Sequence, residues 1–332
     1  MVEQVLRMGR RGVRYRPFCQ AAGVRHRGCS KALERALSDF GAEEAFGQAA
    51  VRVQEHYGIK ISSSAIRRTT LRHAKAIVQT EQQLQWAAAA QIVTQADGSL
   101  IPVVQPDAQA PDARKKKRLL WREVRLCSAR PMGKAQCLYG ATLGSLETTS
   151  WMWQQTVRRA GLTDKTYVHG VGDGASWVLE KFKENFEQQG KFLLDFYHVS
   201  EYLAKAAPAL AGQKKSKSWL RRQQSRLLSN RGSKVLKALK GSLEPPATPT
   251  QAAPIRTAYR YIQERLAYLD YQGARRVGYP IGSGEIESAH RHLIQKRLKL
   301  SGSWWKETNA QVLLNLRTAR ANGCWTQYWN QN

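Results

Sequence analysis

Apolar residues in the first quarter of the chain recur at helical spacing, then give way to alternation. Through AEEAFGQAAVRVQEHYGI, just after Asp39, they return every three or four positions until Gly58 stops the run. A second run, SSSAIRRTTLRHAKAIVQTEQQL, opens on serines suited to capping a helix and ends near Gln83. Two helices around a break from Gly58 to Ser62, the second carrying Arg67, Arg68, Arg72 and Lys75, have the form of a helix-turn-helix. A plain helical hairpin with a solvated basic face has the same pattern.

From Ala90 the pattern is that of strands. AQIVTQ and SLIPVV read as strands divided at Asp97-Gly98, a turn signal. A charged, Pro-containing loop, QPDAQAPDARKKKR, precedes two more strand candidates, WREVRLCSA and AQCLYGATL. LETTSWMWQQTVRRAGL is helical, TYVHGVGDG is a strand ending in a glycine-rich turn, and ASWVLEKFKENFEQQG is a helix. KFLLDFYH is a strand running into another helix, and the succession predicts a mixed α/β sheet.

After His198 the pattern is helical again. Lys205 to Lys240 holds eleven Lys or Arg and no Asp or Glu. A loop with Pro245, Pro246, Pro249 and Pro254 follows, then a helix expected over about Ile255 to Gln272. This block reads as a helical insertion. The chain ends in a long helix from about Ser283 to Leu300 and a shorter one around Asn309 to Asn322.

Composition adds a partner. The 332 residues, 42% apolar, suffice for one large core with smaller attachments. Their 53 Lys and Arg against 25 Asp and Glu leave a net charge of +28, which calls for a polyanion such as nucleic acid. No apolar run approaches the roughly 20 residues that cross a bilayer; the stretch from Trp86 to Val93 is short and interrupted by Gln91. No apolar stretch follows the basic N-terminus (Arg7, Arg10, Arg11, Arg14, Arg16), so no signal peptide is expected. Five irregularly spaced cysteines argue against a disulfide framework and for a reducing compartment, most simply a cytoplasm in contact with DNA. Cys19, His26 and Cys29 lack a fourth ligand nearby, which argues against zinc. His169, in mid-strand, is expected to be a satisfied core histidine.

The candidate chemistry lies in carboxylates at strand ends. Asp97 and Asp173 are crowded by glycines, so the backbone can turn sharply there and leave the acid open. Two such aspartates on neighbouring strands repel unless a cation lies between them, and Mg²⁺ takes hard oxygen ligands while keeping positions for water and phosphate. A third acid comes from YPIGSGEIESAHRHLIQKRLKLSGSWW, where Ser283 can cap a helix whose first turn holds Glu285 and Glu287. About 200° separates these two on a helix, so only one can face the metals. Glu287, with His290 and Arg291 at i+3 and i+4, is preferred. Three carboxylates with two ions could activate a water or a 3′-hydroxyl for in-line phosphoryl displacement.

Arg291, Arg297 and Lys299, followed by Trp304 and Trp305, form a basic and aromatic cluster beyond these acids. Phosphate contact and stacking on an unpaired base would use them, with at least one tryptophan in the core. The Lys205–Lys240 run, including Lys214, Lys215, Lys217, Arg221 and Arg222, has no acids to pair with and is expected to lie along DNA in a sequence-independent, salt-sensitive way.

The strings VGDGASWV, LLDFYHVSEYL and YPIGSGEIES…RLKLSGSWW, with DFGAEEAF and EHYGIKIS upstream, resemble the DDE transposases of bacterial insertion sequences. The resemblance is to the ISKra-type family, a relative of the Mutator-like transposases, and runs from about Tyr15 to Trp329. It implies an RNase H-like catalytic core interrupted by an all-helical insertion. The domain layout then reads as a helical DNA-binding region over residues 1–85, a core over 86–204 and 276–322, and the basic insertion over 205–275. By the family's motifs Asp97, Asp173 and Glu287 are the catalytic, metal-binding triad for two Mg²⁺ or Mn²⁺ ions. Asp195-Phe196-Tyr197-His198 resembles a further motif, implying that His198 positions DNA near the metals. The implied activity is cleavage and strand transfer at transposon ends in double-stranded DNA, by a homo-oligomer that holds two ends together in the cytoplasm at the nucleoid. An inactive DNA-binding derivative and an RNase H-like nuclease are the alternatives.

Overall fold

The computed structural model describes residues 6–7, 14–21, 29–107 and 116–331. Arg10, Arg11, His26 and the centre of the QPDAQAPDARKKKR loop lie outside them. The chain divides into two compact units: one of Met1–Gln83, Pro102–Leu120 and Leu293–Asn332, the other of Leu84–Ile101 and Trp121–His292.

In the first unit, strands β1 (Leu6–Arg7) and β2 (Arg14–Tyr15) pair antiparallel, and helix α1 spans Pro17–Ala21. Helices α2 (Lys31–Glu43), α3 (Phe46–Tyr57) and α4 (Ser63–Gln82) then pack around Leu37, Ala49, Val53 and Ile66. Gly58, at φ 64°, ends α3, and the Ser62 hydroxyl accepts the Ala65 N–H to start α4, so the expected break stands where expected.

The second unit holds a five-stranded sheet. Its strands are β3 (Gln91–Pro106), β4 (Lys117–Pro131), β5 (Leu138–Thr142), β6 (Tyr167–Gly172) and β7 (Gly190–Leu194), and they lie side by side in the order β5-β4-β3-β6-β7. The β4–β5 pair is antiparallel; β3–β6 and β6–β7 are parallel. The mixed α/β expectation therefore holds. Helices α5 (Leu146–Arg159) and α6 (Ser176–Phe186) cover it through Trp153, Val157, Phe182 and Phe186. The buried Trp153 indole donates to Thr94 Oγ1, which donates to Ser128 O, so the polar atoms of this core are tied across two strands.

Helices α7 (Phe196–Leu228), α8 (Gly232–Lys240), α9 (Pro254–Glu264) and α10 (Tyr271–Val277) share a core with Val171, Leu193 and Leu194 of the sheet. Gly212, at φ 66° and ψ 161°, breaks α7 in two. Helices α11 (Gly284–Ala289) and α12 (Lys296–Leu298) flank a π-helical turn, His290–Gln295. Helices α13 (Glu307–Ala321) and α14 (Cys324–Gln331) close the chain.

Three expectations are corrected. Asp97-Gly98 is no turn: β3 runs unbroken through it for 16 residues. Local turn propensity yields because residues 92–96 are buried between two neighbouring strands. The helix expected over Ile255–Gln272 is broken, because the Asp270 carboxylate caps a separate helix by accepting the Gly273 N–H. Helix α14 was not expected at all; His73 Nδ1 within 2.7 Å of the Tyr328 hydroxyl anchors it.

His169 is the satisfied core histidine expected, stacked on Tyr279 at 4.4 Å with Nε2 bonded to Pro280 O. Burial lowers its pKa and the Pro280 bond opposes this only in part. The unfolded chain takes up this proton near pH 6.5, the folded chain only at lower pH, so the contribution to stability is present above about 6.5 and is lost as pH falls through the folded value. Thermal melting should therefore show His169→Gln losing less stability than the parent on acidification across this range. Parallel pH profiles would refute it.

Candidate active site

Parallel register places three aspartates in one row. Gln95 pairs with Val171, and two residues further along each chain stand Asp97 and Asp173. Gly172 pairs with Leu194, and the next residues are Asp173 and Asp195. Neighbouring strands are about 4.8 Å apart, and Asp173 and Asp195 are the first residues past the ends of β6 and β7, while Asp97 is inside β3. Hydrogen bonding separates the three. Asp195 is buried and spends both oxygens: Oδ1 accepts from Tyr197 N (2.6 Å) and His198 N (3.0 Å), Oδ2 from Ser283 N (2.6 Å) and the Ser283 hydroxyl. Among the described residues, Asp97 Oδ1 takes only the Gly98 N–H at 2.6 Å, and Asp173 Oδ1 only the Ala175 N–H at 2.9 Å, leaving one oxygen over on each. Asp195 is thus a fastener, and Asp97 and Asp173 are the acids with capacity for a ligand.

The Asp173 turn is gripped from α9. The Tyr261 hydroxyl donates to Asp173 O and Arg265 Nε to Gly174 O (2.9 Å). Burial and the Asp173 charge push the Tyr261 phenol far up, which keeps it a donor. Gly174 sits at φ 73°, and a Cβ there would meet Leu194 and Arg265. Tyr261 also stacks on Tyr202 at 4.1 Å and meets the His198 ring edge-on at 5.7 Å. No sequence signal marked Tyr261 or Arg265 for this role.

The third acid arrives on α11. The Ile286 N–H donates to Gln95 Oε1 (2.9 Å), and His290 Nε2 lies 3.3 Å from Asp97 Oδ2. Gln95 and Asp97 share a face of β3, and Ile286 and His290 share a face of the helix, so the two elements meet at two points. Upstream, the Tyr197 ring lies where a Cβ on Gly282 would be, at 2.6 Å, so the GSG motif needs glycine there. Glu285 is committed elsewhere: Arg130 Nε donates to it at 2.6 Å and Cys137 Sγ lies 3.6 Å away. Burial and Glu285 drive the Cys137 thiol up to about 12. Glu287 is exposed.

Among the described residues, no three His, Cys, Asp or Glu side chains are close enough to share an ion. The donor types still fit a hard divalent cation. Two carboxylate oxygens are left over on neighbouring strands, and beside one of them is the buried His290 imidazole, both nitrogens of which lack a hydrogen bond.

The basic side chains divide by burial. Arg67, Arg68 and Arg72 are exposed on α4, Arg72 paired with Glu34 at 2.5 Å. Lys214, Lys215, Lys217, Arg221 and Arg222 are exposed on the second half of α7, and Arg291 and Lys299 are exposed as well. Arg297 corrects the expectation of a phosphate contact. It is 1% exposed, donates Nε and Nη2 to Gly41 O at 3.2 Å, and lies between the Phe46 and Trp305 rings at 4.6 and 4.8 Å. Aromatic faces and a carbonyl satisfy it in the core, and burial lowers its pKa to about 10. Trp305 is buried, as expected of one tryptophan, whereas Trp304 is 61% exposed and, with Arg67, lines a cavity of 390 Å³.

Over residues 147–330, more than half its length, the chain matches the model of an uncharacterised protein family, UPF0236. The chain belongs to that family. No curated protein matches it. Among solved structures it is similar to the Drosophila P element transposase strand transfer complex, at 11% identity and a TM-score of 0.36, over 95% of this chain and 83% of that one. A likeness that loose assigns no activity. No helix among the described residues is long and apolar enough to cross a membrane.

Asp195→Ala strands three buried or half-buried N–H groups and should cost about 3–5 kcal/mol in urea unfolding. Asp195→Asn should recover little of it, because an amide NH₂ would face the Ser283 N–H. Arg297→Ala should lose about 2–4 kcal/mol through a cavity and an unpaired carbonyl. Its folded fraction, measured by DNA gel shift, should bind within about twofold of the parent, since an exposed phosphate contact would cost more.

Proposed function

We propose that this chain is a DNA transposase of the DDE type, related to the ISKra-type insertion-sequence enzymes, with an RNase H-like core. The observation that carries the reading is Asp97 on β3 and Asp173 just past the end of the parallel neighbour β6, each with a carboxylate oxygen left over, with His290, three residues after Glu287, 3.3 Å from Asp97. The sheet order supports it too: β3, which carries Asp97, is the central strand, flanked by β4 and by β6, whose end leads into Asp173. The GDGA and GSGEIES motifs and the net charge of +28 point the same way.

Asp97, Asp173 and Glu287 would hold two Mg²⁺ or Mn²⁺ ions. When bound, such ions activate the attacking water or 3′-hydroxyl and stabilise the leaving oxygen of an in-line displacement. The protein's own residues have separable tasks. Tyr261 and Arg265 fix the backbone that carries Asp173. Asp195 ties the start of α7 to the loop ahead of α11, which sets the approach of Glu287. Glu285, neutralised by Arg130, stays out of the ligand set. His198, beside Tyr261, contacts the DNA backbone near the scissile phosphate. The exposed Lys214, Lys215, Lys217, Arg221 and Arg222 run along duplex DNA without reading sequence, and Arg67, Arg68 and Trp304 engage the transposon end. Two such ends require at least two copies of the chain, acting at the nucleoid.

Asp173→Asn should bind DNA carrying the sequences that flank the coding region within about twofold of the parent. It should lose cleavage and strand transfer by about a thousandfold or more, roughly 4 kcal/mol of transition-state stabilisation. Full strand transfer by this variant in Mg²⁺ would overturn the assignment.

A further inference from the structure

Of the residues around the paired aspartates, His290 has no established reason to be where it is. Its side chain is 5% exposed, and neither ring nitrogen makes a hydrogen bond, which is costly for a buried imidazole unless something satisfies it. Nε2 lies 3.3 Å from Asp97 Oδ2 without forming a hydrogen bond to it. His290 also opens the π-helical turn, a local widening that costs helix stability and recurs at functional sites. It follows Glu287 by three residues, so both side chains rise from one side of the helix. Gln95, holding Ile286, keeps that side over the part of β3 that carries Asp97.

We propose that His290 Nε2 is a direct ligand of the divalent cation bound at Asp97, making the site a mixed nitrogen and oxygen one. This rests on the metal-dependent reading above and adds a ligand to it. A cation there takes the oxygen that Asp97 leaves over and the unpaired nitrogen of His290 together. Imidazole suits transition metals better than Mg²⁺, which prefers oxygen and water. The site therefore selects Mn²⁺ over Mg²⁺.

The test uses the full chain without DNA, titrated with Mn²⁺ and followed by electron paramagnetic resonance, with spin-echo modulation of the bound ion as the direct reading. Nitrogen-14 modulation from a coordinated imidazole is expected in the parent protein. His290→Gln should abolish it and weaken Mn²⁺ binding about tenfold or more. Mg²⁺ binding, read by competition, should weaken less. Bound Mn²⁺ without nitrogen modulation in the parent overturns the proposal even if the variant fails to fold. So does modulation that persists in His290→Gln. If Asp97→Asn and Asp173→Asn weaken Mn²⁺ binding and His290→Gln does not, the histidine ligand is wrong and the carboxylate site stands. If both aspartate variants bind Mn²⁺ as the parent does, the metal lies elsewhere and the DDE reading falls with the proposal.

Discussion

Parallel pairing of β3 with β6, and of β6 with β7, is the constraint from which the site follows. Parallel ladders fix register, and here the register carries Asp97 inside β3 and brings Asp173 and Asp195 to the first positions past β6 and β7. Three like charges in one row would repel, so each must be compensated differently. The fold compensates one fully, with two backbone N–H groups, a third N–H and a hydroxyl on Asp195. The other two it compensates by half. That asymmetry turns a row of acids into a fastener and a pair with binding capacity.

The fastener has a second effect. By holding Ser283, Asp195 sets the path of the chain into α11, and Gln95 then receives the first turn of that helix. Glu285 and Glu287 leave the same turn in different directions. One meets Arg130; the other stays exposed, three residues before His290. The Asp173 turn is held in a similar way by Tyr261 and Arg265, side chains of a helix more than 80 residues downstream by the separations of 88 and 91. The helical block is therefore built into the site rather than attached beside it.

Burial decides the fate of the basic residues. Lys214, Lys215, Lys217, Arg221 and Arg222 are on the surface, where phosphate can reach them. Arg297 and Arg317 are exceptions: the first lies between two aromatic rings, and the second donates to Leu293 O at 2.7 Å and pairs with Glu43 at 3.1 Å. Guanidinium groups can be kept in a core this way because planar stacking and forked donors satisfy them where an ammonium would not be satisfied.

Much of this was legible in the sequence because it is local. Periodicity placed α3, α4, α5 and α6 and the strands β6 and β7, and glycine and serine marked the break at Gly58 to Ser62. The glycine-flanked Asp173 was expected at the end of a strand, and β6 ends one residue before it. What failed was also local reasoning, applied where tertiary forces win. Asp97-Gly98 reads as a turn in isolation, yet lies inside a strand that is buried over residues 92–96 between its two neighbours. Arg297 reads as a phosphate contact because basic residues usually face water, and only the packing of Phe46 and Trp305 removes it from solvent. The choice of Asp195 as fastener, the grip of Tyr261 and Arg265, and the placing of the His290 ring beside Asp97 without a hydrogen bond all depend on contacts between residues far apart in the chain. The sequence alone determined which chemical groups were at hand; register and burial determined which of them were left unsatisfied, because hydrogen-bond satisfaction is settled only when distant segments meet.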